Sequence, residues 1–238
     1  MFRQDQVLEK TRVVVEKVKY MVNTLGVKPE SFLIITFSTK AADELKERLI
    51  DGNIPASDVQ KMHISTIHSF CLDILEKTGT VGLDVVADDG KLGLFIKKHI
   101  SDLGFDNEFY LRGNYWIGKV IEKYDDFSKF NVDTEGLVEY LEKTFPVDKE
   151  YVEFVHKYME ENDGEFPIDD ANDKVFKESY KNAKYIQMVK SYPIYLELLE
   201  KENSIDYNQM QIKSLEKMNE GYMPPYTNIL IDEFQDTD

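Results

Sequence analysis

Apolar positions along the first 80 residues switch between a helical period and short continuous runs. Between Lys10 and Gly26 they fall at Val14, Val18, Met21, Val22 and Leu25, one face of a helix. Gly26 can end that helix, and the following stretch around Pro29 reads as a loop. "FLIITF", residues 32–37, is a continuous apolar run rich in β-branched residues, the pattern of a strand buried on both faces in a parallel sheet. "STKAADELKERLI" follows at once with Ala42, Leu45 and Leu49 on one face, so a helix capped by Ser38 or Thr39 is expected. After Asp51-Gly52 and Pro55, "KMHIST" reads as a second strand and "HSFCLDILEKTG" as a second helix. Strand and helix alternating at this spacing predict an open α/β layer.

Beyond residue 80 the pattern changes. "VGLDVVADDGKLG" reads as loop, and helices rich in Lys, Glu and Tyr are expected near 91–103, 114–128, 135–144, 148–161 and 173–202. "ENDGEFPIDDAND" is a polar break, and Pro193 is expected to kink or restart the longest helix. A last helix near 206–220 precedes the turn segment "GYMPPYTN", after which "ILID" returns to the buried-strand pattern. The simplest topology is an α/β core carrying a long helical insertion, its final strand rejoining the first sheet.

Charge sharpens this division. Residues 1–78 hold 11 Lys/Arg and 11 Asp/Glu, whereas residues 79–238 hold 18 against 34, so the whole net charge of −16 lies in the second part. That opposes general nucleic-acid binding but leaves room for a local phosphate-binding surface in the neutral part. No apolar run reaches the roughly 18–20 residues of a membrane span, and no signal-peptide pattern opens the chain. The single cysteine, Cys71, excludes an intramolecular disulfide and fits a reducing compartment. A cytoplasmic protein with no membrane partner is expected.

The chemistry concentrates at "ILIDEFQDTD". An apolar strand ending in Asp232 and Glu233 has the Walker B form: in open α/β sheets ligands bind at the C-terminal strand edge, where one carboxylate can hold Mg²⁺ and the next can orient the attacking water. Taken alone, the string fits a strand entering a polar loop equally well. The wider sequence distinguishes the two. "ILIDEFQDTD" resembles motif II of the UvrD/Rep-type superfamily 1 DNA helicases, "ITFSTKAADELKERL" resembles their motif Ia, and "STIHSFCLDIL" resembles motif Ib. "YPIYLELLEKENSIDYNQM" resembles the stretch that precedes motif II.

The resemblance implies a RecA-like parallel-sheet P-loop NTPase core with a mostly helical inserted subdomain: residues 1–79 begin the core, 80–185 form the insertion, and 186–238 return to the core. It implies ATP and Mg²⁺ as cofactors and single-stranded DNA as partner. Lys10, Thr11 and Arg12 match the end of the family's phosphate-binding motif. Thr11 and Asp232 would then hold Mg²⁺, Glu233 would activate water, and Gln235 would sense the γ-phosphate. Phe37 matches the aromatic that stacks on a base, an interaction worth roughly 1–3 kcal/mol; without its flanking motif it would read as a core aromatic. Thr36 and Lys40 lie beside it, and Thr66 and His68 match residues that track the strand. His63, His99 and His156 belong to no motif and read as structural, as do Cys71 and Trp116.

The chain also departs from the family. Val7, Leu8 and Glu9 stand where a glycine-rich loop is expected; that loop needs positive φ and close backbone approach to phosphate, and Glu9 adds a negative charge. The resemblance implies a second RecA-like domain, with its arginine finger, beyond the point that Asp238 matches, and this chain is expected to lack it. The expectation is therefore a truncated relative of an ATP-dependent, strand-translocating helicase serving replication, repair or recombination, inactive alone. The insertion would touch duplex DNA, against its own acidic charge. The alternatives are a non-catalytic interaction module, its acidic helical part meeting a protein partner, and an inactive remnant.

Overall fold

A computed structural model describes residues 2–80, 82–86, 89–105, 114–145, 147–162 and 173–232. The chain divides into two compact units, residues 1–81 with 210–238, and residues 82–209. The expected return to the core at residue 186 falls inside a helix of the second unit; the first unit resumes at Met210.

The first unit is built on a parallel sheet of β1 (Phe32–Thr36), β2 (His63–Thr66) and β5 (Asn228–Ile231), in the order β2-β1-β5. Every residue of β1 is buried. Phe32 and Ile34 join Val18 of α1 (Phe2–Asn23) and Leu45 and Leu49 of α2 (Thr39–Asp51) in one core. Leu33 and Ile35 face the other way, toward Phe70 and Ile74 of α4 (Ile67–Lys77). A central strand covered on both faces is what the continuous apolar run requires. Between α2 and β2 lies the short α3 (Ala56–Val59).

The final strand does rejoin the first sheet: β5 pairs parallel with β1, Ile35 opposite Ile231. It sits at the sheet's edge, with Ile229 60% and Ile231 40% exposed. The remaining first-unit helix is α10, Tyr207–Asn219, which crosses the boundary between the units.

The second unit is mostly helical: α5 (Asp89–Lys98), α6 (Asn114–Lys129), α7 (Thr134–Thr144), α8 (Lys149–Glu161) and α9 (Asp173–Lys201). Two expectations change here. The stretch read as loop near residue 85 contains β3 (Asp84–Val85), which pairs parallel with β4 (Ser204–Ile205), and α5 begins at Asp89. Pro193 does not restart the longest helix; α9 is assigned unbroken through it. No helix among the described residues is long and apolar enough to cross a membrane.

Buried tyrosines organise this unit's core. Tyr124 and Ser191 hydroxyls lie 2.7 Å apart, and those of Ser128 and Tyr192 2.6 Å apart. Tyr195, fully buried, donates to Asp206 Oδ2 at 2.6 Å. Asp206 Oδ1 accepts from the Gln209 amide at 2.7 Å, at the start of α10. Burial pushes the Tyr195 hydroxyl far up, and the Asp206 carboxylate beside it adds to the shift, so it remains a donor at any ordinary pH. Tyr195→Phe removes this donor from a buried carboxylate and is expected to lower stability by about 1.5–3 kcal/mol, read as a lower urea midpoint; an unchanged midpoint would show that Asp206 is satisfied without it.

Candidate functional site

Because β1, β2 and β5 run in parallel, their C-terminal ends share one edge, the side on which open α/β sheets bind ligands. The register sets Thr36 beside Thr66 and Ile35 beside Ile231. Asp232, one residue past β5, donates its amide to the Ile35 carbonyl at 2.9 Å. Its side chain is turned inward, and the residue is 7% exposed. A carboxylate so placed needs hydrogen-bond donors. Thr11, half-buried on α1, donates its hydroxyl to Asp232 Oδ2 at 3.1 Å, a contact between residues 221 apart in sequence. Arg12 follows Thr11 and is exposed. The Lys10 side chain, Glu233 and Gln235 lie outside the described residues.

A hydroxyl and a carboxylate oxygen 3.1 Å apart form a hard-oxygen pair. Among the described residues no group of three or more His, Cys, Asp or Glu side chains gathers as a metal cage. The pair is suited instead to a cation such as Mg²⁺, which keeps most of its waters and takes only one or two protein ligands beside phosphate oxygens.

The other half of the edge is made where β1 and β2 turn into helices. Thr36 is buried, and its hydroxyl donates to the Ser38 carbonyl at 3.0 Å, so this side chain shapes the turn. Ser38 caps α2, accepting from the Ala41 amide at 3.2 Å. Between them Phe37 is 71% exposed, directly after five buried residues, which removes the core-aromatic reading. Lys40 is exposed in the first turn of α2. Thr66 repeats the arrangement at the end of β2, capping α4 by accepting from the Ser69 amide at 3.2 Å. The edge therefore carries two helix N-termini, each favouring anionic groups.

His68, in the first turn of α4, is half-buried with Nε2 3.0 Å from the Gln211 amide nitrogen on α10. Gln211 had no signal in the sequence, because α10 reads only as an amphipathic helix. The residues expected to be structural are so placed: Cys71 is buried, and Trp116 packs edge-on to Phe105 with centroids 4.7 Å apart.

Comparison with known proteins agrees with this geometry. The family described as UvrD/REP helicase N-terminal domain matches residues 10–238. A probable DNA helicase of Mycoplasma pneumoniae is 40% identical over 82 residues, 34% of this chain and 15% of that protein. A probable DNA helicase II homolog of Mycoplasma capricolum is 27% identical over 234 residues, covering 96% of this chain and 27% of that protein. The ATP-dependent DNA helicase Rep of Buchnera aphidicola from Schizaphis graminum is 40% identical over 68 residues, 29% of this chain and 10% of that protein. The chain thus spans little more than a quarter of the length of the helicase II homologs that it matches over most of its own length.

Two histidines of the first unit, His68 at this edge and His63 at the opposite end of β2, make stability depend on pH. Burial pushes both His63 and His68 below the usual 6.5; at His63 Asp73 opposes the shift, while Lys77 and Lys46 reinforce it. Just below pH 6.5 the unfolded chain therefore binds protons that the folded chain does not, and stability falls as pH drops through that window. Urea midpoints are expected to decline from pH 7.5 to 5.5, less steeply for a His63→Gln, His68→Gln double variant. Equal declines in the two proteins would assign the effect to other groups.

Proposed function

The chain belongs to the UvrD/REP helicase N-terminal domain family, and from that premise we propose that it is the first motor domain of an ATP-dependent DNA helicase, with a RecA-like sheet and residues 82–209 as its inserted subdomain. The observation that carries this reading is the common edge, on which the Thr11–Asp232 pair and the exposed Phe37 both lie. In this reading Lys10 serves the phosphates, Thr11 and Asp232 serve Mg²⁺, Glu233 serves the attacking water and Gln235 serves the γ-phosphate. Mg²⁺, when bound, supplies charge that offsets the phosphate oxygens. The strand end is formed by Phe37 as a stacking platform, with Lys40 and the capped starts of α2 and α4 toward the backbone phosphates.

Two features bear on how much of the motor this chain performs by itself. The backbone of Val7, Leu8 and Glu9 is helical, whereas a phosphate cradle needs amides turned inward on a loop. Nucleotide affinity is accordingly weak in this reading. Along β5, Ile229 and Ile231 are exposed where a parallel sheet is ordinarily covered; this supports a role in which further motor elements complete the sheet and the cleft. Unwinding belongs to that assembly.

Labelled ATP titrated into the millimolar range is expected to bind weakly and only with Mg²⁺, to be lost in Asp232→Asn, and to turn over negligibly. DNA-stimulated turnover by the chain alone would overturn the claim that it is an incomplete motor. Absence of any Mg²⁺-dependent binding, with strand binding intact, would favour a non-catalytic interaction module. For the strand end, Phe37→Ala should leave the fold intact and weaken a fluorescent oligodeoxythymidylate by about 1–3 kcal/mol, measured by anisotropy at low salt. An unaltered affinity would remove Phe37 from the strand site.

A further inference from the structure

His63, outside every motif, is joined by hydrogen bonds to the segments on either side of it. Its Nδ1 lies 2.9 Å from the Tyr226 hydroxyl, and its Nε2 lies 2.9 Å from the Ser65 hydroxyl. The direction of these bonds depends on the His63 tautomer. Ser65 has one hydroxyl hydrogen and donates it to the Thr66 carbonyl at 3.2 Å. In the arrangement that keeps this bond, Ser65 accepts from His63 and Nε2 carries the hydrogen. A neutral imidazole then has its lone pair on Nδ1, which accepts from Tyr226. Burial keeps His63 neutral against the pull of Asp73, whose Oδ2 is 4.0 Å from Nδ1 and is itself paired with Lys77 at 2.7 Å. A one-way chain results, from Tyr226 through His63 and Ser65 to Thr66.

Packing holds the chain in place. Phe70 meets the His63 ring edge-on at 5.6 Å and lies 6.2 Å from the Tyr226 ring. The two ends of the chain differ in kind. Tyr226 belongs to the turn that leads into β5, and Thr66 is the cap of α4. The sheet ladder with β1 holds β2 whether or not His63 is present, so the added effect of the chain is to orient the β2–α4 junction.

We propose that His63 is a positioning residue for strand binding, setting the junction that presents Thr66 and His68 from the segment that enters β5. This rests on the strand-binding reading of the edge. Removing His63 takes away one of the Ser65 hydroxyl's two partners and loosens its junction with Thr66, with Phe37 and Lys40 untouched.

The test uses the whole chain and three variants. His63→Leu removes both hydrogen bonds, His63→Gln retains an amide donor for Ser65, and Tyr226→Phe keeps the rings and removes one donor. Affinity for labelled oligodeoxythymidylate is expected to fall about three- to tenfold in His63→Leu, the equivalent of one hydrogen bond, and to recover most of that loss in His63→Gln. Nitrogen-15 shifts should give the Nε2–H tautomer in the unmodified chain and a mixture in Tyr226→Phe. A plain packing role for His63 would move neither the tautomer nor the Leu-to-Gln difference. The proposal is overturned by an Nδ1–H tautomer, by equal losses in the Leu and Gln variants, or by a His63→Leu chain that binds like the unmodified one while Phe37→Ala binds weakly. An unmodified chain that binds no oligonucleotide overturns the strand-binding reading itself, and this proposal with it.

Discussion

Pairing of β5 with β1 places Ile231 opposite Ile35, and the Asp232 amide then reaches the Ile35 carbonyl. The Thr11–Asp232 pair depends on that register. A slip of one residue along β1 would turn Leu230 out of the core it shares with Phe32 and Ile34 and would carry Asp232 away from Thr11. The apolar packing on both faces of β1 therefore fixes the position of a polar pair that contributes little to stability itself. Hydrophobic burial sets the geometry here, and the carboxylate is carried along with it.

The two units use their polar groups differently. In the second unit the tyrosine hydroxyls and Asp206 are buried and hydrogen-bonded to one another, so they hold helices in register. In the first unit the polar groups gather where strands become helices, and several are only half-buried. One arrangement suits a rigid body. The other leaves amides, hydroxyls and an aromatic ring available at an edge.

Much of this was legible in the sequence, for identifiable reasons. "FLIITF" has no polar residue before Thr36, which only a strand covered on both faces tolerates; Ser38 ahead of an amphipathic run marks a helix start. Other features depended on partners that no local pattern records. Leu25 was expected on the buried face of the first helix, but α1 ends at Asn23 and Leu25 is 58% exposed, while Val15 takes up the core position. β3 is two residues long and exists only because Ser204 and Ile205 lie beside it. Pro193 was expected to kink or restart the longest helix because helix interiors resist proline, yet α9 continues through it as one helix. Phe37 continues the apolar run and by that pattern alone reads as core; only its flanking motif gave a reason to expect the exposure that the fold shows. His63 and Gln211 owe their placement to Tyr226 and His68, which are distant in sequence.

The pairing of β3 with β4 has a consequence for synthesis. β1 must wait for β5, which leaves the ribosome about 200 residues later, a delay of roughly 10–40 seconds at ordinary elongation rates. In that interval the intervening stretch has time to fold by itself, and when it does, Asp84 and Ser204 become neighbours one strand spacing apart. The long excursion between β2 and β5 is then shortened to α4, α10 and the residues that link them, which removes much of the entropy that closing so large a loop would otherwise cost. Folded by itself, the insertion would act as a splint for the nascent chain, shortening the span over which the last strand has to find its sheet.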